Sequence, residues 1–136
     1  MADAVVLDTS AILTLTGKEP GADEVQTYLA EAIAGRIQLH GSFANLTEVE
    51  YITIQGEGAE ADLNAMPVHW LHSDADLCHE AARLKAAHKI SFADAFVAAM
   101  ARRFDATLIH KDPEFHPLAG ELKQHMLPAK SSAPSS

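Results

Sequence analysis

Hydrophobic positions along the chain alternate between short continuous runs and longer stretches of helical period. Ala4-Val5-Val6-Leu7 is an unbroken apolar run ending in Asp8-Thr9-Ser10, which predicts a buried strand feeding a capped helix. From Asp23 to Ile33, Val25, Leu29 and Ile33 recur every four residues, predicting an amphipathic helix stopped by Gly35. Ile37 to His40 reads as a second strand. Leu46, Val49, Tyr51, Ile52 and Ile54 mark a largely apolar helix, broken by Gly56 and Gly58. A short helix is expected over Ala59 to Ala65, and a third strand over Val68 to Leu71. Asp74 to Ala87 predicts a helix with Leu77, Ala81 and Leu84 inward. Ser91 to Phe104 predicts another, with Phe96, Val97, Met100 and Phe104 along one side. Ala106 to Ile109 completes the set as a fourth strand, with a weak edge strand at Leu122 to Leu127. Pro128 to Ser136 has no apolar anchor and reads as a flexible C-terminal tail.

Strands alternating with helices specify an α/β domain with a mostly parallel central sheet of four to five strands flanked by helices. The expected division is one domain over residues 1–127 and a tail over 128–136. In such sheets, sites form beyond the carboxyl ends of the strands. Two strand candidates end there in acids: Leu7 runs into Asp8, and Ile109 runs through His110-Lys111 into Asp112.

Composition narrows the function classes. With 136 residues and 48% hydrophobic content the chain can build a core without disulfides or structural metal. The single cysteine, Cys78, points to a reducing, cytoplasmic setting. No apolar run approaches the roughly 18 residues that span a bilayer, and Asp3 stands where a signal peptide carries positive charge. The net charge of −9 opposes bulk attraction to a polyanion, so any grip on nucleic acid must be local. Part of that acidic excess is explained if carboxylates are grouped around a divalent cation.

Individually, the candidate acids have ordinary alternatives. Asp8 can serve as a helix N-cap, although Ser10 can do that work alone. Asp94 completes a capping box begun by Ser91, yet Val97, Ala98 and Ala101 place it on an apolar flank where a bare carboxylate is costly. Glu48 and Glu50 share the helix after Ser42, and periodicity does not choose between them. Asp112-Pro113 is a turn signal. Gathered at one edge of a sheet, however, such acids repel and take up cations, and oxygen-only ligands suit Mg²⁺ or Mn²⁺.

These residues also carry a family resemblance. Val5-Val6-Leu7-Asp8-Thr9-Ser10-Ala11-Ile12-Leu13 resembles the opening motif of PIN-domain ribonucleases, and Leu46-Thr47-Glu48-Val49 their second acidic motif. Ile90-Ser91-Phe92-Ala93-Asp94-Ala95 and Leu108-Ile109-His110-Lys111-Asp112-Pro113-Glu114-Phe115 are similar to the third and fourth. All four occur in family order over nearly the whole chain, and a domain this short looks most like a VapC-type toxin of a toxin–antitoxin pair. The resemblance implies a single PIN-like domain whose Asp8, Glu48, Asp94 and Asp112 are catalytic and hold Mg²⁺ or Mn²⁺, with Glu48 preferred over Glu50. It implies hydrolysis of an RNA phosphodiester by a metal-activated water, a small antitoxin protein as partner, and a homodimer. His110 departs from the pattern, because the family usually carries a small hydroxyl residue there.

Other classes are less well served. His69, His72 and His79 have no zinc-site spacing, and no phosphate-binding glycine loop is present. A phosphatase built around Asp8 needs an acid where Ser10 stands. The alternative is a catalytically silent PIN-fold module that binds RNA or protein. Among the basic residues, Arg102, Arg103 and Lys111 lie near the acidic motifs as candidate phosphate contacts, with Lys85 and Lys89 preceding them.

Overall fold

The computed structural model describes residues 3–56 and 63–129. Its order is β1 (Asp3–Leu7), α1 (Thr9–Thr16), α2 (Ala22–Ile33), β2 (Ile37–Ser42), α3 (Phe43–Ile54), β3 (His69–Leu71), α4 (Ala75–Ala87), α5 (Phe92–Arg103), β4 (Thr107–His110) and β5 (Lys123–Met126). The five strands form one sheet in the order β3-β2-β1-β4-β5, and every pairing is parallel. The expected short helix over Ala59 to Ala65 lies partly outside the described residues, and Leu63–Ala65 is a single 3₁₀ turn. The expected tail is described only at Pro128 and Ala129.

The β1 run is apolar on both faces because both faces are covered. Val6 and Leu108 pack with α4, α5 and the 3₁₀ segment Pro113–Leu118 in one core, whereas Val5, Leu7, Leu39 and Ile109 pack with α1, α2 and α3 in the other. Two helices depart from the face expected of them. In α2, Val25 is buried but Ile33 is 76% exposed. A spacing of four drifts about 40° per step on a helix with 3.6 residues per turn, so the inward stripe passes to Tyr28, Leu29 and Ala32. In α5, every residue from Asp94 to Ala101 is buried. Its alanines let α4, the sheet and the 3₁₀ segment close around it, so the helix has no solvated middle.

The caps place the helices. Asp8, not Ser10, is the N-cap of α1, and its side chain accepts from the Ser10 N–H. Ser42 caps α3 and Ser91 caps α5. Asp74 caps α4 by accepting from the Leu77 N–H at 2.8 Å, and its two oxygens also receive the Arg103 guanidinium at 2.8 and 2.9 Å. One carboxylate therefore fastens the start of α4 to the end of α5. The close β2–β3 contact depends on Gly41, which is paired with Trp70; a Cβ there would lie 2.4 Å from the indole ring.

Gly41→Ala is expected to destabilise the fold by about 1–3 kcal/mol in urea unfolding, because the indole must leave its seat beneath Leu63. The Arg103 bond and the Leu77 N–H hold the Asp74 carboxyl down to about 2, against its ordinary 3.8. A depressed folded-state value means that this tie is complete above 3.8 and is lost as pH falls through about 2. Carbon-detected NMR titration should find the midpoint near the lower value in the wild type and displaced towards the ordinary one in Arg103→Gln.

Candidate metal and nuclease site

The carboxyl ends of β1 and β4 lie side by side, because Leu7 pairs with Ile109. The chain after β1 is held there by the Asp8 N–H, which donates to the Ile109 carbonyl at 3.0 Å. Above these ends sits the start of α5. Asp8, Asp94 and Asp112 each bring a carboxylate oxygen to one place, the three atoms lying within 4.8 Å of one another. Asp8 and Asp94 are buried, at 2% and 5% exposure, and Asp112 is half-buried.

The surrounding bonds orient these carboxylates. Ser10 Oγ donates to Asp8 Oδ2 at 2.5 Å and accepts from the Lys111 N–H at 2.9 Å, tying the first acid to the backbone beside the last. Asp8 Oδ1 is buried with no hydrogen-bond partner among the described residues. Asp112 Oδ1 accepts from the Glu114 N–H at 2.9 Å, and the Glu114 carboxylate in turn accepts from the Ser91 N–H at the head of α5. Glu114 also bears on Asp94 through a hydrogen bond and its charge. It stands inside the fourth motif, yet nothing in its spacing singles it out; the link arises only when the 3₁₀ segment folds against the α5 cap.

Glu48 lies outside the three-aspartate group but next to it. Thr9 Oγ1 donates to Glu48 Oε1 at 2.5 Å and accepts from the buried Asn45 Nδ2 at 2.7 Å. The residue following Asp8 is thus fixed to α3 on the Glu48 side. Glu50 is exposed.

His110 is fully buried and positions Asp112. The Asp112 N–H donates to His110 Nδ1 at 3.0 Å, so that nitrogen is an acceptor and the proton resides on Nε2, which faces Gln124 Oε1 at 2.8 Å. Burial holds this imidazole below its ordinary pKa, in keeping with a neutral ring. Where a hydroxyl was expected, a neutral histidine instead braces the backbone of the last acid against β5.

Electrostatics make the bare cluster unfavourable. Charged carboxylate oxygens no more than 4.8 Å apart repel by at least about 3 kcal/mol per pair at an effective dielectric near 20. Burial, with a smaller contribution from Asp112, raises the Asp8 pKa even against the lowering bonds from Ser10. Asp94 is also raised, by burial first, then by the Asp8 charge and by Glu114. The donor set is oxygen only, and the unpartnered Asp8 Oδ1 supplies an open lone pair. These residues therefore fit a hard divalent cation.

The basic side chains near the site are already engaged. Lys111 Nζ binds Glu19 at 3.3 Å and the Pro20 carbonyl at 2.8 Å, with its side chain only 9% exposed. Arg102 pairs with Glu80 and Glu121, Arg103 with Asp74, and Lys85 donates to the Ile90 carbonyl. Lys111 thus pins the α1–α2 connection rather than presenting a free phosphate contact.

No curated protein sequence matches the chain. Among solved structures, the fold is similar to VapBC2 from Rickettsia felis bound to a promoter DNA fragment, with TM-score 0.70, 18% identity, and coverage of 92% of this chain and 99% of that one. It is similar to a toxin–antitoxin complex from Klebsiella pneumoniae, with TM-score 0.65, 19% identity, and coverage of 85% and 93%. DNA-bound VapBC from Salmonella typhimurium gives TM-score 0.63 at 15% identity, covering 93% and 98%. At these identities the likeness is one of fold. No helix among the described residues is long and apolar enough to cross a membrane. The PIN domain family model matches residues 5–121, which take in four of the five strands and all four acidic motifs, and the chain belongs to that family.

Proposed function

We propose that this protein is a metal-dependent ribonuclease, the toxin of a VapBC-type toxin–antitoxin pair, which hydrolyses RNA phosphodiester bonds to leave a 5′ phosphate. The observation that carries this reading is the meeting of Asp8, Asp94 and Asp112 within 4.8 Å at the carboxyl edge of a PIN-domain sheet. Asp8, Asp94 and Asp112 hold Mg²⁺ or Mn²⁺, and Glu48 completes the acidic set from α3. When bound, the cation stabilises charge on the phosphoryl oxygens and lowers the pKa of a water.

The chain's own groups supply orientation. Ser10 fixes which oxygen of Asp8 is free to bind, since its hydroxyl and N–H both occupy Oδ2. His110 and Glu114 fix Asp112 at its own N–H and at its carboxylate. Thr9 ties Glu48 to the residue beside Asp8. The partners in this reading are an RNA substrate, a small antitoxin protein and a second copy of the chain, in the cytoplasm. The VapBC complexes of similar fold support the antitoxin.

Purified wild-type protein should cleave RNA only with Mg²⁺ or Mn²⁺ present, and Asp8→Asn should lose this cleavage. Cleavage unchanged in Asp8→Asn overturns the assignment, and metal binding without turnover in the wild type favours the silent binding module. Induced expression should arrest growth of a bacterial host for the wild type alone. Ser10→Ala leaves the acids in place but unfastens Asp8, so a fall of about 10–100-fold in metal affinity or activity is expected by calorimetry and RNA cleavage assay.

A further inference from the structure

The register of β2 against β3 sets His40 directly opposite His69. Their rings meet edge-on with centroids 5.7 Å apart. Phe104, at the end of α5, stacks on His40 at 4.4 Å and 5° between planes, which fixes the orientation of that ring. His40 is only 8% exposed, and both its nitrogens are buried with no hydrogen-bond partner among the described residues. A buried imidazole with an unmet donor and an unmet acceptor is destabilising unless something compensates it. His69 is exposed, and the two rings line a cavity of about 530 Å³ with Gln38, Pro67, Leu71 and Phe104.

The ring spacing suits a shared ion. With metal–nitrogen bonds of about 2.0–2.1 Å, two imidazoles at a tetrahedral angle have centroids about 5.2 Å apart, roughly half an ångström less than the observed separation. We propose that His40 and His69 form a two-imidazole site for a borderline transition cation, Zn²⁺ or Cu²⁺. Burial and the neighbouring His69 hold the His40 pKa down, so the ring is neutral and its lone pair is available. The site is separate from the aspartates. Asp94 lies in the first turn of α5 and Phe104 caps its far end, ten residues and about 15 Å along the helix. The ligand chemistry differs too, since imidazoles select borderline ions and the oxygen cluster selects hard ones. An ion held there would clip the three-residue edge strand β3 to β2.

Pulsed EPR of the full chain with one equivalent of Cu²⁺ reads imidazole nitrogen directly, which the aspartates cannot supply. The wild type should show two coupled imidazoles. His69→Ala, an exposed change that spares the core, should show at most one and bind at least tenfold more weakly. Asp94→Asn should retain the two-imidazole signal. The proposal is overturned if the wild type shows oxygen ligation alone, or if His69→Ala keeps both the signal and the affinity. Zn²⁺ should likewise shift the His40 ring resonances in NMR of the wild type, and unmoved resonances would count against it.

Discussion

Three carboxylates forced together in a place that water reaches poorly impose the central constraint on this molecule. Asp8 cannot move away, because its N–H is bound to Ile109 and its side chain caps α1. Asp94 cannot move away either, because it lies in the first turn of a helix buried through its middle. The repulsion is therefore not relieved by rotamer changes and has to be met by protons or a cation. The supporting bonds from Ser10 and the Glu114 N–H fall on one oxygen each of Asp8 and Asp112, and Asp8 Oδ1 is left free. A purely structural role for Asp8 would leave neither of its oxygens without a partner.

The sheet order explains how distant motifs come to share the site. Placing β1 between β2 and β4 puts the ends of the first and fourth motifs on adjacent strands, and α5 returns its first turn over them. Glu48 arrives from a third direction, on the helix that begins immediately after β2. The two cores on either face serve as rigid mounts, so the site is built on strand ends and helix starts rather than on long loops.

Much of this was readable before folding. The apolar run of β1, the acid at its end, the helix from Asp23 and the long helix after Ser91 all follow from period and caps. What could not be read depends on three-dimensional juxtaposition. Ser10 has the chemistry to cap α1, but the geometry assigns that bond to Asp8 and sets the Ser10 hydroxyl between Asp8 and the Lys111 N–H. Ile33 fits an every-fourth pattern, and only the accumulated helical drift turns it outwards. Glu114 and His110 act through bonds to backbone atoms, which leave no mark in residue spacing. The pairing of His40 with His69 is fixed by strand register across a separation of twenty-nine positions, so no motif of short spacing could announce it.

The alanine-lined middle of α5 has a mechanical consequence. Ala95, Ala98, Ala99 and Ala101 are each buried to within 2% of complete, against α4 on one side and the sheet on the other. A helix seated this tightly behaves as a rod whose head carries Asp94. Any enlargement of a side chain along its length pushes the rod as a whole, and the displacement is delivered at the carboxylate. Accuracy at the acidic edge is thus set by methyl groups up to two turns away, and tolerance to change in that stretch is governed by alignment as much as by stability.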